Sequence, residues 1–135
     1  MTEEMQSLLI GLSAGAIGYF LVTFQLQPIL RYREIRERVH SDLIYYADAV
    51  NSVDLNDAMK NRVLERITAN RRHSSDLRAI FHSLPWIYRK YILICGHNPQ
   101  KAANDLMGLS NTFNHQDVAT RVESIRAGLG ISKTT

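Results

Sequence analysis

The chain has 135 residues, with 16 Lys and Arg against 13 Asp and Glu, a formal net charge of +3 and 45% hydrophobic residues. The single Cys95 excludes an intrachain disulfide and suits a reducing compartment. Length leaves room for one compact domain, and the mild basic excess alone does not specify a nucleic-acid binder.

Charge and hydropathy are unevenly distributed. Residues 8–30, LLIGLSAGAIGYFLVTFQLQPIL, contain no Asp, Glu, Lys, Arg or His. At 1.5 Å per residue a helix of that length spans about 34 Å, enough to cross a hydrocarbon core about 30 Å thick. The stretch therefore predicts a single N-terminal transmembrane helix. All 16 basic residues follow it, and RYREIRER sets Arg31, Arg33, Arg36 and Arg38 directly at its end. Basic residues beside a span are held on the cytoplasmic side. The expected topology is an extracytoplasmic N-terminus (residues 1–7), a span (8–30), a cytosolic helical domain (31–131) and a short frayed tail (132–135). A cleaved signal peptide is the alternative, but that requires a basic leading region and a small-residue cleavage site. Here Glu3 and Glu4 lead the chain, and Ala14-Gly15-Ala16 falls inside the apolar run.

Gly11, Ala14, Gly15 and Gly18 lie near one face of the span. Small residues at that spacing let helix backbones approach closely in lipid, so this face is the expected packing surface of a homo-oligomer. Gln25 and Gln27 belong in the headgroup layer. Pro28 removes an amide donor and predicts a kink at the membrane exit.

Beyond the span the pattern is helical throughout. Ile35, Val39, Leu43, Tyr46 and Val50 recur at helical spacing over residues 31–51. A turn at Asn51-Ser52-Val53 leads to an N-cap at Asp54, after which Leu55, Met59, Val63 and Ile67 mark the next helix. Leu77, Ile80, Phe81 and Leu84 extend that pattern to Pro85, with residues 70–75 as a doubtful joint between one helix and two. PWIYRKYILIC predicts a short helix closed by Gly96. Asn98-Pro99 opens a helix carrying Ala102, Ala103, Leu106, Leu109 and Phe113. Asn114 opens a last one, with Val118, Val122, Ile125 and Leu129, stopped by Gly128 and Gly130. The expected class is all-α, a cytosolic bundle of about five helices behind one span.

Two basic groupings are candidate sites for an anionic ligand. Arg62, Arg66, Arg71 and Arg72 form the densest cluster away from the membrane, and arginine forks suit phosphate. Arg89 and Lys90 lie among Trp86, Tyr88 and Tyr91, a mixture able to stack a base. A solvated helix face and ordinary packing account for the same residues. Cys95 and His97 supply too few ligands to close a metal site, and neither metal nor cofactor is expected. His40-Ser41-Asp42 does not form a hydrolase set, because neighbours on a helix point apart. No convergent acid, base and nucleophile is legible, so the expectation is a non-enzyme.

The segments GYFLVTFQLQPILRYREIR, SDLIYYADAV, SLPWIYRKYI and LMGLSNTF resemble a group of small bacterial membrane proteins with one N-terminal span and a helical tail. That resemblance implies an inner-membrane location and transfers no activity. In layout alone the chain is also similar to the cyclic-oligoadenylate-gated membrane effectors of type III CRISPR defence. Arg33 and His40, with six residues between them, resemble the Arg-x4–6-His pair of HEPN ribonucleases. Three expectations follow. The first is a non-enzymatic, self-associating membrane protein whose cytosolic domain docks a partner protein. The second is a membrane-perturbing antiphage effector gated by an anionic ligand such as a cyclic nucleotide. The third is a HEPN-like RNase.

Overall fold

The computed structural model describes residues 2–47, 57–112 and 114–131, and all regular structure among them is helical. Helix α1 (Glu3–Leu21) starts at Thr2, whose hydroxyl accepts from the Met5 amide, and carries Glu3 and Glu4 in its first turn. Both features satisfy a helix N-terminus, through its free amides and its positive dipole end. A five-residue π-helical turn, Val22–Leu26, joins α1 to α2 (Gln27–Tyr45). Pro28 explains it: the ring has no N–H to give to Phe24 and crowds that carbonyl, so the bonding register widens there. The expected kink is thus a register change within one continuous helix of 43 residues, Glu3–Tyr45. This helix is long and apolar enough to cross a membrane. No residue of α1 is buried.

α2 leaves the apolar stretch and buries Tyr32, Ile35, Val39 and Leu43 on one face. α3 (Asp57–Ser83) runs back along it. Three contacts fix the antiparallel direction: Arg62 reaches Tyr45, His73 meets Asp42, and Ile80 and Ser83 come beside Leu30 and Arg31. Residues 70–75 carry no break, so the pattern between Met59 and Leu84 is a single helix. α4 (Trp86–Ile94) follows Pro85. α5 (Pro99–Ser110), capped by the Asn98 side chain, packs along α3, and α6 (His115–Leu129) packs on α5 and reaches α2.

The core joins Tyr32, Ile35, Val39 and Leu43 to Leu77, Ile80, Leu84, Ile92, Leu106, Leu109, Ile125 and Leu129. Each fully buried aliphatic side chain contributes about 1.5–3 kcal/mol relative to exposure. Ala102 keeps α5 thin where α6 crosses it. A Cβ on Gly128 would fall 2.9 Å from the Asn98 carbonyl oxygen and 3.2 Å from the Ala102 methyl, so this position requires glycine for close approach. The Asn98 amide donates to the Gly128 carbonyl at 2.8 Å across the same contact. Gly130 then stops α6 in the left-handed region at φ 68°.

Some expectations shift. Met59 is exposed, and from Val63 onward the inward stripe of α3 passes through Arg66, Asn70 and His73. Tyr46 is half-buried beyond the end of α2. The expected features at Val50, the Asn51–Asp54 turn and cap, Leu55, Phe113 and the tail lie outside the described residues.

Candidate functional site

The arginines grouped by sequence part company in space. Arg62, one turn after the start of the pattern on α3, donates from Nη2 to the Tyr45 carbonyl at 2.6 Å. Its guanidinium carbon lies 4.7 Å above the Tyr45 ring. It ties the C-terminal end of α2 to the first turns of α3. Arg66, one turn on, points inward and is only 3% exposed. Its Nη1 donates to the Leu109 carbonyl at 3.3 Å and its Nη2 to the Thr112 carbonyl at 3.1 Å. These oxygens lie at and just past the C-terminal end of α5, the negative end of the helix dipole, where a cation is favoured. Burial lowers the Arg66 pKa from its ordinary value. Arg71 is exposed and donates to the Asn111 side chain at 3.3 Å.

Arg72 alone of the four faces a substantial cavity, an open groove of about 950 Å³ along the seam of α2 and α3. Arg38, Asp42, Glu65, His73 and Asp76 line the same groove. His73 Nε2 and Asp42 Oδ2 are 2.5 Å apart, the imidazole N–H donating to the carboxylate, and they lock α3 to α2. The groove therefore sets two arginines against three carboxylates, which gives it no positive field for a phosphate. Sequence reasoning missed this gathering. The available signal was the stripe Val63, Arg66, Asn70, His73, Leu77, Ile80, which has strict helical spacing with polar residues on an apolar face. Polar residues on such a stripe imply buried partners.

Arg89 and Lys90 are at the other end of the bundle, on α4. Lys90 Nζ lies 5.1 Å from the Trp86 ring centroid. Tyr88 turns inward to meet Tyr32 edge-on, with centroids 6.2 Å apart. Arg33 is exposed and His40 half-buried on α2, two turns apart, or about 10.5 Å along the axis. Cys95 is exposed, and among the described residues no three His, Cys, Asp or Glu side chains are placed to hold a metal ion. Gly11, Gly15 and Gly18 lie on the open surface of α1, with nothing within 4 Å of an added Cβ; Ala14 is exposed on the same helix.

No protein-family model matches the chain, and no curated protein or solved structure matches it either.

Proposed function

We propose that the chain is a non-enzymatic, self-associating single-span protein of the bacterial inner membrane, whose cytosolic helical domain docks a partner protein. One observation carries this reading. A single helix runs from Glu3 to Tyr45, leaving every residue of α1 unburied while the inner face of α2 builds the core of the bundle. In water, α1 would expose Leu8, Leu12, Ile17, Tyr19 and Phe20 together, an apolar surface that soluble chains do not leave open. Lipid covers it at no cost, and the Arg31–Arg38 run directs the bundle to the cytosol. The open glycine face on α1 permits close backbone packing with a second copy.

Gating by an anionic ligand has less support, because Arg66 is committed to carbonyls of α5 and the groove around Arg72 carries more carboxylates than arginines. An RNase reading would need Arg33 and His40 to meet one phosphate, and the two stand about 10.5 Å apart along the axis of α2. Native mass spectrometry of the detergent-extracted chain tests the choice. The expected result is a defined oligomer with no retained nucleotide, converted to monomer by Gly11→Leu with Gly15→Leu. A nucleotide on each oligomer would overturn the docking reading in favour of the gated effector, and a monomeric wild type would overturn self-association.

A further inference from the structure

We propose that α4 is an interfacial helix that lies on the bilayer surface at the point where the apolar stretch emerges, with Trp86, Ile87, Tyr91 and Ile94 seated among lipid headgroups and upper acyl chains. The proposal rests on the membrane-spanning reading of residues 8–30 and adds a second contact with the same bilayer. Its first support is the path of the chain. α2 carries the chain away from the apolar stretch, and α3 returns until Ile80 and Ser83 line a cleft with Thr23, Gln27, Leu30 and Arg31. α4 begins just past this point, and the Tyr88 ring holds it against Tyr32, two residues beyond Leu30, the end of the charge-free run. The level of α4 along the molecule is therefore the level at which the span ends.

Surface chemistry is the second support. In a helix of nine residues, Trp86 is 61% exposed, Ile87 65%, Tyr91 60% and Ile94 84%, while Tyr88 and Ile92 turn into the core. No described part of the chain covers this face. Its composition is that of the membrane interface, where Trp and Tyr rings concentrate at headgroup depth. Lys90, stacked against Trp86, has a stem long enough to carry its ammonium up to the phosphate layer. Arg31 and Arg33, the sequence neighbours of Tyr32, are exposed and add positive charge where the apolar stretch ends, as anionic lipid favours. A base-stacking surface would use the aromatics and cations, but it gives no role to Ile87 and Ile94, the two most exposed side chains of the face. A bilayer accounts for all of them.

Trp86 is the only tryptophan, so its fluorescence reports on α4 in the unmodified full chain. The experiment reconstitutes that chain into phosphatidylcholine–phosphatidylglycerol vesicles opened to both sides by freeze–thaw. Quenching is then compared between aqueous iodide and phosphatidylcholine brominated either near the headgroup or near the chain terminus. The expected result is blue-shifted emission, most of the iodide quenching lost relative to the denatured chain, and stronger quenching by the shallow bromine than by the deep one. Ile87→Glu with Ile94→Glu, both on the surface, should restore iodide quenching while helical content and resistance to carbonate extraction stay unchanged. A carbonate-resistant protein whose Trp86 remains open to iodide and blind to bromolipid would overturn the interfacial helix and leave the span standing. Shielding from iodide without bromolipid quenching would assign the face to a contact between copies of the chain and equally overturn the proposal. Extraction by carbonate would remove the span and α4 docking together.

Discussion

Tyr32 shows how one side chain links the apolar helix to the domain behind it. It is 2% exposed, packed between α2 and α4, and desolvation pushes its phenol from 10.0 up to about 12, with Arg36 nearby pulling the other way. Because the folded pKa is raised, the Tyr32 contribution is whole below the unfolded value near 10 and is lost as pH rises through about 12. Alkaline unfolding of the detergent-solubilised chain, followed by circular dichroism, should therefore steepen across that window. Tyr32→Phe should remove part of the steepening and little stability at neutral pH. Parallel profiles for the two proteins would contradict the assignment. Tyr32 was not legible in the sequence, although it stands three residues before Ile35 on the same stripe. It sits inside an arginine run that reads first as a topology signal, and only the return of Tyr88 from α4 shows what covers it.

At the scale of elements, the bundle is joined by polar side chains that reach from α3 to its neighbours. His73 meets Asp42 on α2, Ser74 donates to the Ala103 carbonyl on α5 at 2.7 Å, and Arg66 closes the end of α5. Removing Arg66 takes a charged donor from the Thr112 carbonyl, leaves the Leu109 carbonyl with backbone amides alone, and opens a cavity in the core where the guanidinium lay. Arg66→Ala should cost on the order of 3 kcal/mol by chemical unfolding in detergent. Arg71→Ala, on the exposed side of the same helix, should stay within about 0.5 kcal/mol. Equal effects at the two positions would show that Arg66 does not act as a cap. The helices themselves were legible from periodicity, proline and asparagine caps: Asn98 and Asn114 accept from amides at the starts of α5 and α6, as their positions imply. What was not legible was which face α3 buries. Its stripe is polar from Arg66 to Ser74, so a hydrophobic count follows Met59 and Ile67 and misses the inward turn of Arg66 and His73. Likewise, four arginines close in sequence read as one cluster, while helical geometry sends one to the core, one to the groove and two to neighbouring segments.

For the whole molecule, the continuous helix Glu3–Tyr45 makes the apolar stretch and the bundle one mechanical unit. The π-turn at Val22–Leu26 lets Pro28 pass without a break, so no linker separates the apolar stretch from Tyr32 and the core. Such a plan fits a protein whose assembly in the membrane presents helical domains to a partner. On the proposed function the apolar helix crosses the inner membrane and leaves the bundle in the cytosol. Cys95 is the sole thiol and is exposed, so the native chain carries its own topology probe. The direct measurement is labelling of Cys95 by a membrane-impermeant maleimide in spheroplasts, before and after the inner membrane is permeabilised, with the intact mass read by mass spectrometry. The account predicts a full-length membrane-bound chain labelled only after permeabilisation. Labelling in intact spheroplasts, or a shortened chain released from the membrane, would contradict it.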